Sequence, residues 1–297
     1  MSKILNIKML GGCATVLVFY FLGCNGSSSS QQNEDADSLK ALEERLARLD
    51  IVVGELYFNQ DENNKWGFTD ATQNFVIPAI WEEAHMFHEG LACVKDSCGK
   101  YGYIDKTGNM VIPCIWKNAY PFCEGLAIVV DSTGHFGFVN KIGKVVIPCK
   151  WFWVDSFHDG LALVRDSKMM FGLIDKNGAE VIPCVWGSLG YFSEGMAVVA
   201  DSTGKEGYID KTGKVVIPCT FVRAYDFCGG MAAVNDSSGK FGFIDKTGKL
   251  VVPFVWDFTH GCFNDQGLTA VWDSKGVHVI DKSGTIVEWD TAVPLFK

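Results

Sequence analysis

Six prolines recur at intervals of 35 residues along this chain of 297 residues. They are Pro78, Pro113, Pro148, Pro183, Pro218 and Pro253. A constant period of this length is the signature of a chain built from copies of one supersecondary unit. One such unit cannot bury both of its faces, so we predict that neighbouring units stack and share an apolar core.

Other positions repeat in register with the prolines. A large aromatic residue follows each proline by three positions, at Trp81, Trp116, Trp151, Trp186, Phe221 and Trp256. Eleven residues before each proline stands a glycine, preceded by an aromatic residue in five of the six copies, as in Trp66-Gly67. Glycine within a strand marks a close approach of other backbone, so we expect such an approach here.

Short runs with alternating side chains, such as 91–94 and 101–105, predict paired strands. Between them, Asp-Ser-x-Gly and Asp-Lys-Thr-Gly predict turns in which aspartate bonds its own backbone and glycine takes a positive φ. Val-Ile-Pro predicts a third strand that ends at the proline, which has no N–H for the ladder. The dozen residues after the proline fit either a short fourth strand or a helical turn.

We therefore predict an all-β fold over residues 51–297, made of seven tandem β-meander repeats of about 35 residues in a propeller-like arrangement. The first unit (54–78) and the last (267–288) depart from the pattern, as capping repeats do. An open β-solenoid is the alternative.

These columns resemble the WG-repeat family, the KWG-type repeat of bacterial proteins. Segment 65–68, Lys-Trp-Gly-Phe, carries the namesake triplet, and segment 100–108 matches the middle motif most fully. The resemblance spans residues 54–288 and implies an all-β repeat domain, common on exported bacterial proteins and without an established activity. It supports the fold and leaves the function open.

The N-terminus has the features of an export signal over residues 1–23: Lys3 and Lys8 precede an apolar run over 9–22, which is short for a bilayer span. Segment 21–24, Phe-Leu-Gly-Cys, resembles a lipobox. We therefore predict that Cys24 is lipidated, with an unlipidated cleaved signal as the alternative. Lipidation would anchor the protein in the bacterial cell envelope, at the outer membrane or the cell surface.

Residues 24–37 are rich in Ser, Gln, Asn and Asp, which predicts a lipidated flexible tether. Residues 38–50 predict a short amphipathic helix that packs onto the end of the repeat array, with oligomerisation as the alternative. Its apolar stripe consists of Leu39, Leu42, Leu46 and Leu49.

Charge excludes one class of partner. Without the predicted export signal (residues 1–23, called the leader below), the chain has 24 basic and 35 acidic residues, which gives a net charge of −11. Nucleic-acid binding requires a basic surface, so we predict no nucleic-acid partner. The same deficit opposes electrostatic docking on anionic lipid, so membrane attachment would depend on the acyl chains.

No arrangement of residues indicates catalysis, so we predict a non-enzymatic protein with no cofactor and no metal. Cys114, Cys149, Cys184 and Cys219 are 35 residues apart, unlike the clustered ligands of a zinc site, and are expected to be half-buried packing residues. His85 and His88 are the histidines with ligand-like spacing, and His158 shares the variable column of His88. These three histidines are candidate ligand contacts.

Trp153 and Trp272 occupy columns that other repeats fill mostly with small or polar residues. Exposed tryptophans anchor interfaces or stack on sugars, so both are candidate contacts. The leading hypothesis is a binding or scaffold module for a protein or another surface partner. The alternative is a cell-surface glycan-binding or glycan-processing protein, with Trp153 stacking and Asp155 or Asp159 supplying a polar group.

Overall fold

The structure, a computed structural model, describes residues 29–287. Within that range it contains one helix and 26 strands. The chain divides into two compact units, one formed by residues up to 132 together with 139–145, the other by 133–138 together with residues from 146 onward. The predicted export signal (1–23), Cys24 and the first residues of the predicted tether lie outside the described residues.

The first unit contains the helix and two sheets, with strand orders β1-β2-β3 and β4-β5-β6-β7, followed by the antiparallel pair β8 and β9. Its elements are α1 (Ser29–Val53), β1 (Tyr57–Gln60), β2 (Trp66–Thr69), β3 (Phe75–Trp81), β4 (Glu83–His88), β5 (Leu91–Lys95), β6 (Tyr101–Asp105), β7 (Met110–Trp116), β8 (Asn118–Cys123) and β9 (Leu126–Val130). Strands β10 (Phe136–Asn140) and β11 (Val145–Trp151) lie where the chain passes between the units.

The second unit contains three four-stranded sheets and a final three-stranded one, each with its strands in chain order. Its strands are β12 (Trp153–Val154), β13 (Leu161–Arg165), β14 (Phe171–Asp175), β15 (Glu180–Trp186), β16 (Ser188–Leu189), β17 (Met196–Ala200), β18 (Glu206–Asp210), β19 (Val215–Phe221), β20 (Arg223–Ala224), β21 (Met231–Asn235), β22 (Phe241–Asp245), β23 (Leu250–Trp256), β24 (Phe258–Thr259), β25 (Leu268–Asp273) and β26 (Gly276–Asp281). The predicted all-β fold of repeated meanders is confirmed. The segment after each ring of the tryptophan column, including Phe221, forms a strand, which settles the choice between a strand and a helical turn.

The prediction that the third strand ends at the proline is wrong. Pro183 is the fourth of the seven residues of β15, the outermost strand of its sheet. An edge strand tolerates the missing N–H. Phe171 pairs with Trp186 and Leu173 with Ile182, so the strand is bulged around the proline.

The bulge brings backbone against the repeated glycine, which confirms the predicted close approach. A Cβ atom built on Gly207 would lie 2.5 Å from the carbonyl oxygen of Ile217 and 2.7 Å from the nitrogen of Cys219. The approaching backbone belongs to β19, the outer strand of the same sheet. Glycine is required here because no side chain fits between the two strands.

The predicted aspartate turns are also confirmed. Asp210 Oδ1 accepts hydrogen bonds from the backbone N–H of Thr212 at 2.8 Å, its hydroxyl at 2.6 Å and the N–H of Lys214 at 3.2 Å. Gly213 takes a φ of +83°. These bonds, led by the one from the Thr212 hydroxyl, hold the pKa of Asp210 below its usual value.

Because the folded-state pKa of Asp210 is lowered, its stabilising effect is present above the unfolded-state pKa and is lost as pH falls through the folded value. The Asp210→Asn variant removes the charge and keeps the acceptor oxygen, as Asn140 does in its own turn, where it bonds Lys144 N at 2.9 Å. We expect this variant to lose less stability than the parent between pH 7 and pH 3, measured by urea unfolding at both values. Equal losses in the two proteins would contradict the assignment.

The helix packs on the second sheet through its leucine stripe. Leu46 is 3% exposed and contacts the turn at Gly90, and Arg45 pairs with Asp105 at 3.0 Å. The predicted helix bounds of 38–50 are too short, because α1 begins at Ser29 and ends at Val53. The flexible tether predicted for 24–37 is therefore wrong for residues 29–37.

The extension has a physical cause. Residues 31–36 include two glutamines, a glutamate and an alanine, which are good helix formers. Asp35 also pairs with Lys144, which ties this part of the helix to a turn of the first unit. No helix within residues 29–287 has the length and apolar character needed to cross a membrane.

Two aromatic rings pack against each other in most repeats, and the repeat that lacks this pair contains the candidate site described below. One ring belongs to the residue directly after the repeated glycine, and the other comes from the variable segment that follows the tryptophan column. In the second unit, Tyr208 pairs with Phe227 at 4.8 Å and Phe243 with Phe263 at 4.9 Å between ring centroids. All four rings are buried. Each tyrosine at this position also donates to a backbone carbonyl, as Tyr208 does to Tyr225 O at 2.7 Å.

Candidate functional site

The candidate contacts His85 and His88 lie on β4, and both are exposed. Nearby, Glu83 accepts hydrogen bonds from Lys95 at 2.7 Å and from Tyr101 at 2.6 Å. Residues 29–287 contain no group of three or more His, Cys, Asp or Glu side chains placed to hold a metal ion. The structure therefore brings no further ligand to these two histidines.

The two candidate tryptophans lie at separate places in the second unit. Trp153 is 37% exposed, and its ring meets the edge of Phe171 at 6.3 Å. Trp272 is half-buried and packs against Phe258 at 5.3 Å and His260 at 5.0 Å. Trp272 thus belongs to an aromatic group on the last sheet, β24–β26.

A cavity of about 370 Å³ opens between the sheets β12–β15 and β16–β19 of the second unit, and we refer to it as the ligand cavity. It is lined by His158, Asp159, Leu161, Leu173, Tyr191, Phe192 and Lys211. Among the predicted contacts, His158 lines this cavity, whereas His85, His88, Trp153 and Trp272 do not. Asp159, which the glycan hypothesis combined with Trp153, lines the cavity, but Trp153 does not.

The first cause of the cavity is a leucine where the other repeats have an aromatic ring. Leu173 occupies the position of Phe68, Tyr103, Phe138, Tyr208 and Phe243. Its partner in the variable segment, Phe192, is half-buried, whereas the equivalent Phe227 is 1% exposed. Replacing a ring by an isobutyl group leaves space beside Phe192.

The second cause of the cavity is the replacement of a glutamate by Asp159, and the intact contact in another repeat shows what is lost. Glu194 accepts hydrogen bonds from Gly230 N at 3.1 and 3.2 Å and pairs with Lys246 Nζ at 3.0 Å. We refer to this set of a carboxylate, a glycine N–H and a lysine as the clamp. The bond from Lys246 lowers the pKa of Glu194.

The first unit contains the same clamp. Glu89 accepts from Gly125 N at 3.1 and 3.2 Å and pairs with Lys141 at 3.0 Å. In both clamps the glycine lies 36 residues after the glutamate and the lysine 52 residues after it. The clamp is therefore a repeated contact between successive sheets.

At the ligand cavity the clamp is open. The same offsets from residue 159 lead to Gly195 and Lys211, but residue 159 is aspartate, one methylene shorter than glutamate. Within residues 29–287, Asp159 forms neither the ion pair with Lys211 nor the hydrogen bond with Gly195 N. A cation and a carboxylate thus face one cavity without contacting each other.

Tyr191 and His158 form one wall of the cavity. Their rings meet edge to face at 5.7 Å, and the Tyr191 hydroxyl donates a hydrogen bond to Asp155. Burial, together with that bond, raises the pKa of Tyr191 to about 12. The hydroxyl therefore stays protonated at neutral pH and serves to fix the ring.

The lining of the cavity has the composition of a ligand site. It combines one ammonium and one carboxylate with an apolar floor of Leu161, Leu173 and Phe192. Ligand sites typically combine a mostly apolar lining with a few placed polar groups.

The post-proline cysteines are half-buried and lie away from the cavity lining. Cys219 packs against the core cluster that contains Leu163 and Ile182. Burial raises the pKa of Cys184 to about 11 and that of Cys114 to about 12, which keeps both thiols protonated and unreactive at neutral pH. The expected packing role is consistent with these positions.

Sequence reasoning missed Leu173, Tyr191, Phe192 and Lys211. A signal for Leu173 was present in the aligned repeats, because Leu173 interrupts a column of rings. A second departure in the aligned repeats, aspartate for glutamate at Asp159, marks the same cavity. Tyr191 and Lys211 gave no such signal, since the first lies in a variable column and the second is the usual turn lysine.

Six segments match the family described as WG containing repeat, at residues 66–97, 101–131, 136–167, 171–200, 207–238 and 241–271. A comparison with curated proteins gave no match.

Among solved structures, BamB from Moraxella catarrhalis is 14% identical with a TM-score of 0.35, over 69% of this chain and 72% of that one. The computationally designed Ika8 protein is 10% identical with a TM-score of 0.35, over 79% of this chain and 83% of that one. The C-terminal WD40 domain of Sif2 is 14% identical with a TM-score of 0.31, over 76% of this chain and 74% of that one.

Proposed function

This chain belongs to the WG containing repeat family, and we propose that it is a non-enzymatic, lipid-anchored envelope protein whose repeat domain binds a protein partner. The repeats supply a rigid scaffold of four-stranded sheets, and the ligand cavity supplies the contact site.

One observation carries this proposal. Between the sheets β12–β15 and β16–β19, the repeat loses its central ring pair at Leu173 and its clamp at Asp159. Each change weakens the packing of the repeat array, because an apolar gap and an open ion pair forgo contacts that other repeats make. Local departures from the rules of a fold are expected at functional sites, and here two departures open onto one cavity.

The envelope location is supported by the sequence of the leader. An apolar run that ends in Phe-Leu-Gly-Cys precedes the helix and the repeats, and Cys24 is the proposed lipidation site. The net charge of −11 without the leader gives anionic lipid no electrostatic attraction for the rest of the chain.

The Leu173→Phe variant tests the binding function. Phenylalanine restores the ring found in the other repeats and fills the cavity beside Phe192, so we expect a folded protein that no longer retains its partner. The measurement is affinity capture from envelope fractions, with thermal unfolding as the check on folding.

Val222→Phe is the matched control, because it adds the same ring at a side chain that is 45% exposed in the same unit. It should retain the partner. Equal capture by the parent and by Leu173→Phe would contradict a binding role for the cavity. Glycan binding stays the alternative, and turnover of a polysaccharide in a hydrolase screen would refute the non-enzymatic assignment.

A further inference from the structure

We propose that the ligand cavity binds the C-terminal residue of the partner protein, with its terminal carboxylate on Lys211 and Gly195 N and its large apolar side chain against Leu173 and Phe192. This inference rests on the proposed function and specifies the chemistry that the site recognises.

The chain's own clamps show that this geometry binds a carboxylate. In two other repeats, the lysine and the glycine N–H hold the carboxylate of Glu89 or Glu194 at distances of 3.0 to 3.2 Å. Bonds of this kind to a charged acceptor are the strong ones. Lys211 and Gly195 are the same pair one repeat away from the Glu194 clamp.

The backbone presents the N–H of Gly195 in the same conformation. Its φ is +86°, compared with +84° at Gly125 and +83° at Gly230. Within residues 29–287, neither the Gly195 N–H nor the Lys211 ammonium has a hydrogen bond or an ion pair. The site therefore keeps the donors of a clamp, and its own carboxylate, on Asp159, forms no bond to them.

Asp159 selects a chain end over other anions. Its carboxylate faces the same cavity, so it repels a polyanion such as phosphate and requires a hydrogen-bond donor on the ligand. The amide N–H of a C-terminal residue is attached to the Cα atom that also carries the terminal carboxylate. A glutamate side chain of a partner would bring no such donor close to its carboxylate. Capture of terminal carboxylates by backbone N–H groups is a recurrent mode of peptide recognition.

The apolar half of the cavity selects the side chain. Five other repeats fill the position of Leu173 with phenylalanine or tyrosine, so the space beside it matches a large ring. Phe192 and Leu161 complete this apolar surface, and the wall of Tyr191 and His158 bounds it. We therefore expect a preference for a C-terminal phenylalanine or leucine over alanine.

The test uses fluorescently labelled peptides that end in phenylalanine, titrated with the whole repeat protein and followed by polarisation. Amidating the C-terminus, or ending the peptide in alanine, is expected to weaken binding by at least about tenfold. Free phenylalanine serves as a competitor. Displacement of the peptide by equal concentrations of free phenylalanine would assign the site to a free amino acid and overturn the proposal.

Variants of the chain supply the second arm. Asp159→Glu lengthens the acid to the residue found in the closed clamps, so it should fill the donors from within and weaken peptide binding by at least about tenfold while the protein stays folded. Lys211→Met removes the ammonium and should have the same effect on binding. Lys141→Met, which removes the equivalent lysine of the Glu89 clamp, is the matched control and should bind the peptide as the parent does.

Three outcomes would overturn the inference: a Kd of about 1 mM or weaker for every peptide, binding that is insensitive to amidation, or unchanged binding in Asp159→Glu. The proposed function fails separately. If envelope capture still depends on Leu173 while the peptides do not bind, the cavity binds a partner by other chemistry. If capture is also unaffected by Leu173→Phe, the binding function itself is refuted.

Discussion

Replacing Gly207 by alanine is expected to lower the free energy of unfolding by about 3 kcal/mol. The new Cβ atom would lie 2.5 Å from Ile217 O, 2.7 Å from Cys219 N and 2.7 Å from the carbonyl carbon of Pro218. All three are backbone atoms, and the fixed φ of the proline limits how far the bulged strand can shift. Urea denaturation at neutral pH measures the loss.

Gly190→Ala is the control for this prediction. A Cβ atom there would meet Val198 O at 3.6 Å, an ordinary contact, and Gly190 is not among the glycines with positive φ. We expect a change within about 0.5 kcal/mol. If Gly207→Ala unfolded at the same urea concentration as Gly190→Ala, the close approach of β18 and β19 would not be a rigid feature of the fold.

Replacing Cys24 by alanine is expected to release the protein from membranes almost completely. Acyl chains contribute about 0.8 kcal/mol for each buried CH₂ group, and stable anchoring needs more than one such attachment signal. The acidic chain has no electrostatic attraction to anionic lipid that could replace the lost chains. Fractionation of cells into membrane and soluble material measures the effect.

Cys13→Ala is the matched control, since it removes the cysteine inside the predicted export signal and leaves the proposed lipid site at Cys24 intact. It should remain with the membranes. Membrane retention of Cys24→Ala would refute lipidation at this position, and release of both variants would point to a general defect in export.

Much of the fold was predictable because the turns and strands of each repeat depend on residues that are close together in the sequence. The aspartate turns depend on residues two to four positions apart, such as Asp210, Thr212 and Lys214. The glycine of the close approach was also visible, because only a backbone constraint keeps a glycine beside a ring in every copy. The proline was misread, since the missing N–H is harmless on an outermost strand such as β15, and the order of strands is not a local property.

The extent of the helix was misjudged for a related reason. The composition of residues 24–37 is that of a tether, yet residues 29–37 extend α1, and Asp35 pairs with Lys144. That contact joins residues 109 positions apart. Helix propensity depends on neighbouring residues alone, so it could not predict the stabilising effect of this distant contact.

The repeat, its turns, its glycine and its aromatic columns are visible in the amino-acid sequence, because they depend on neighbours within one period. That Asp159, Leu173 and Lys211 face one cavity is a property of the folded chain, because residues 52 positions apart come together only when successive sheets stack. The fold likewise joins Cys228 and Cys262 in a disulfide, with Cα atoms 5.1 Å apart. The candidate site is formed by residues of two successive sheets, and the packing of those sheets cannot be predicted from the sequence of one repeat.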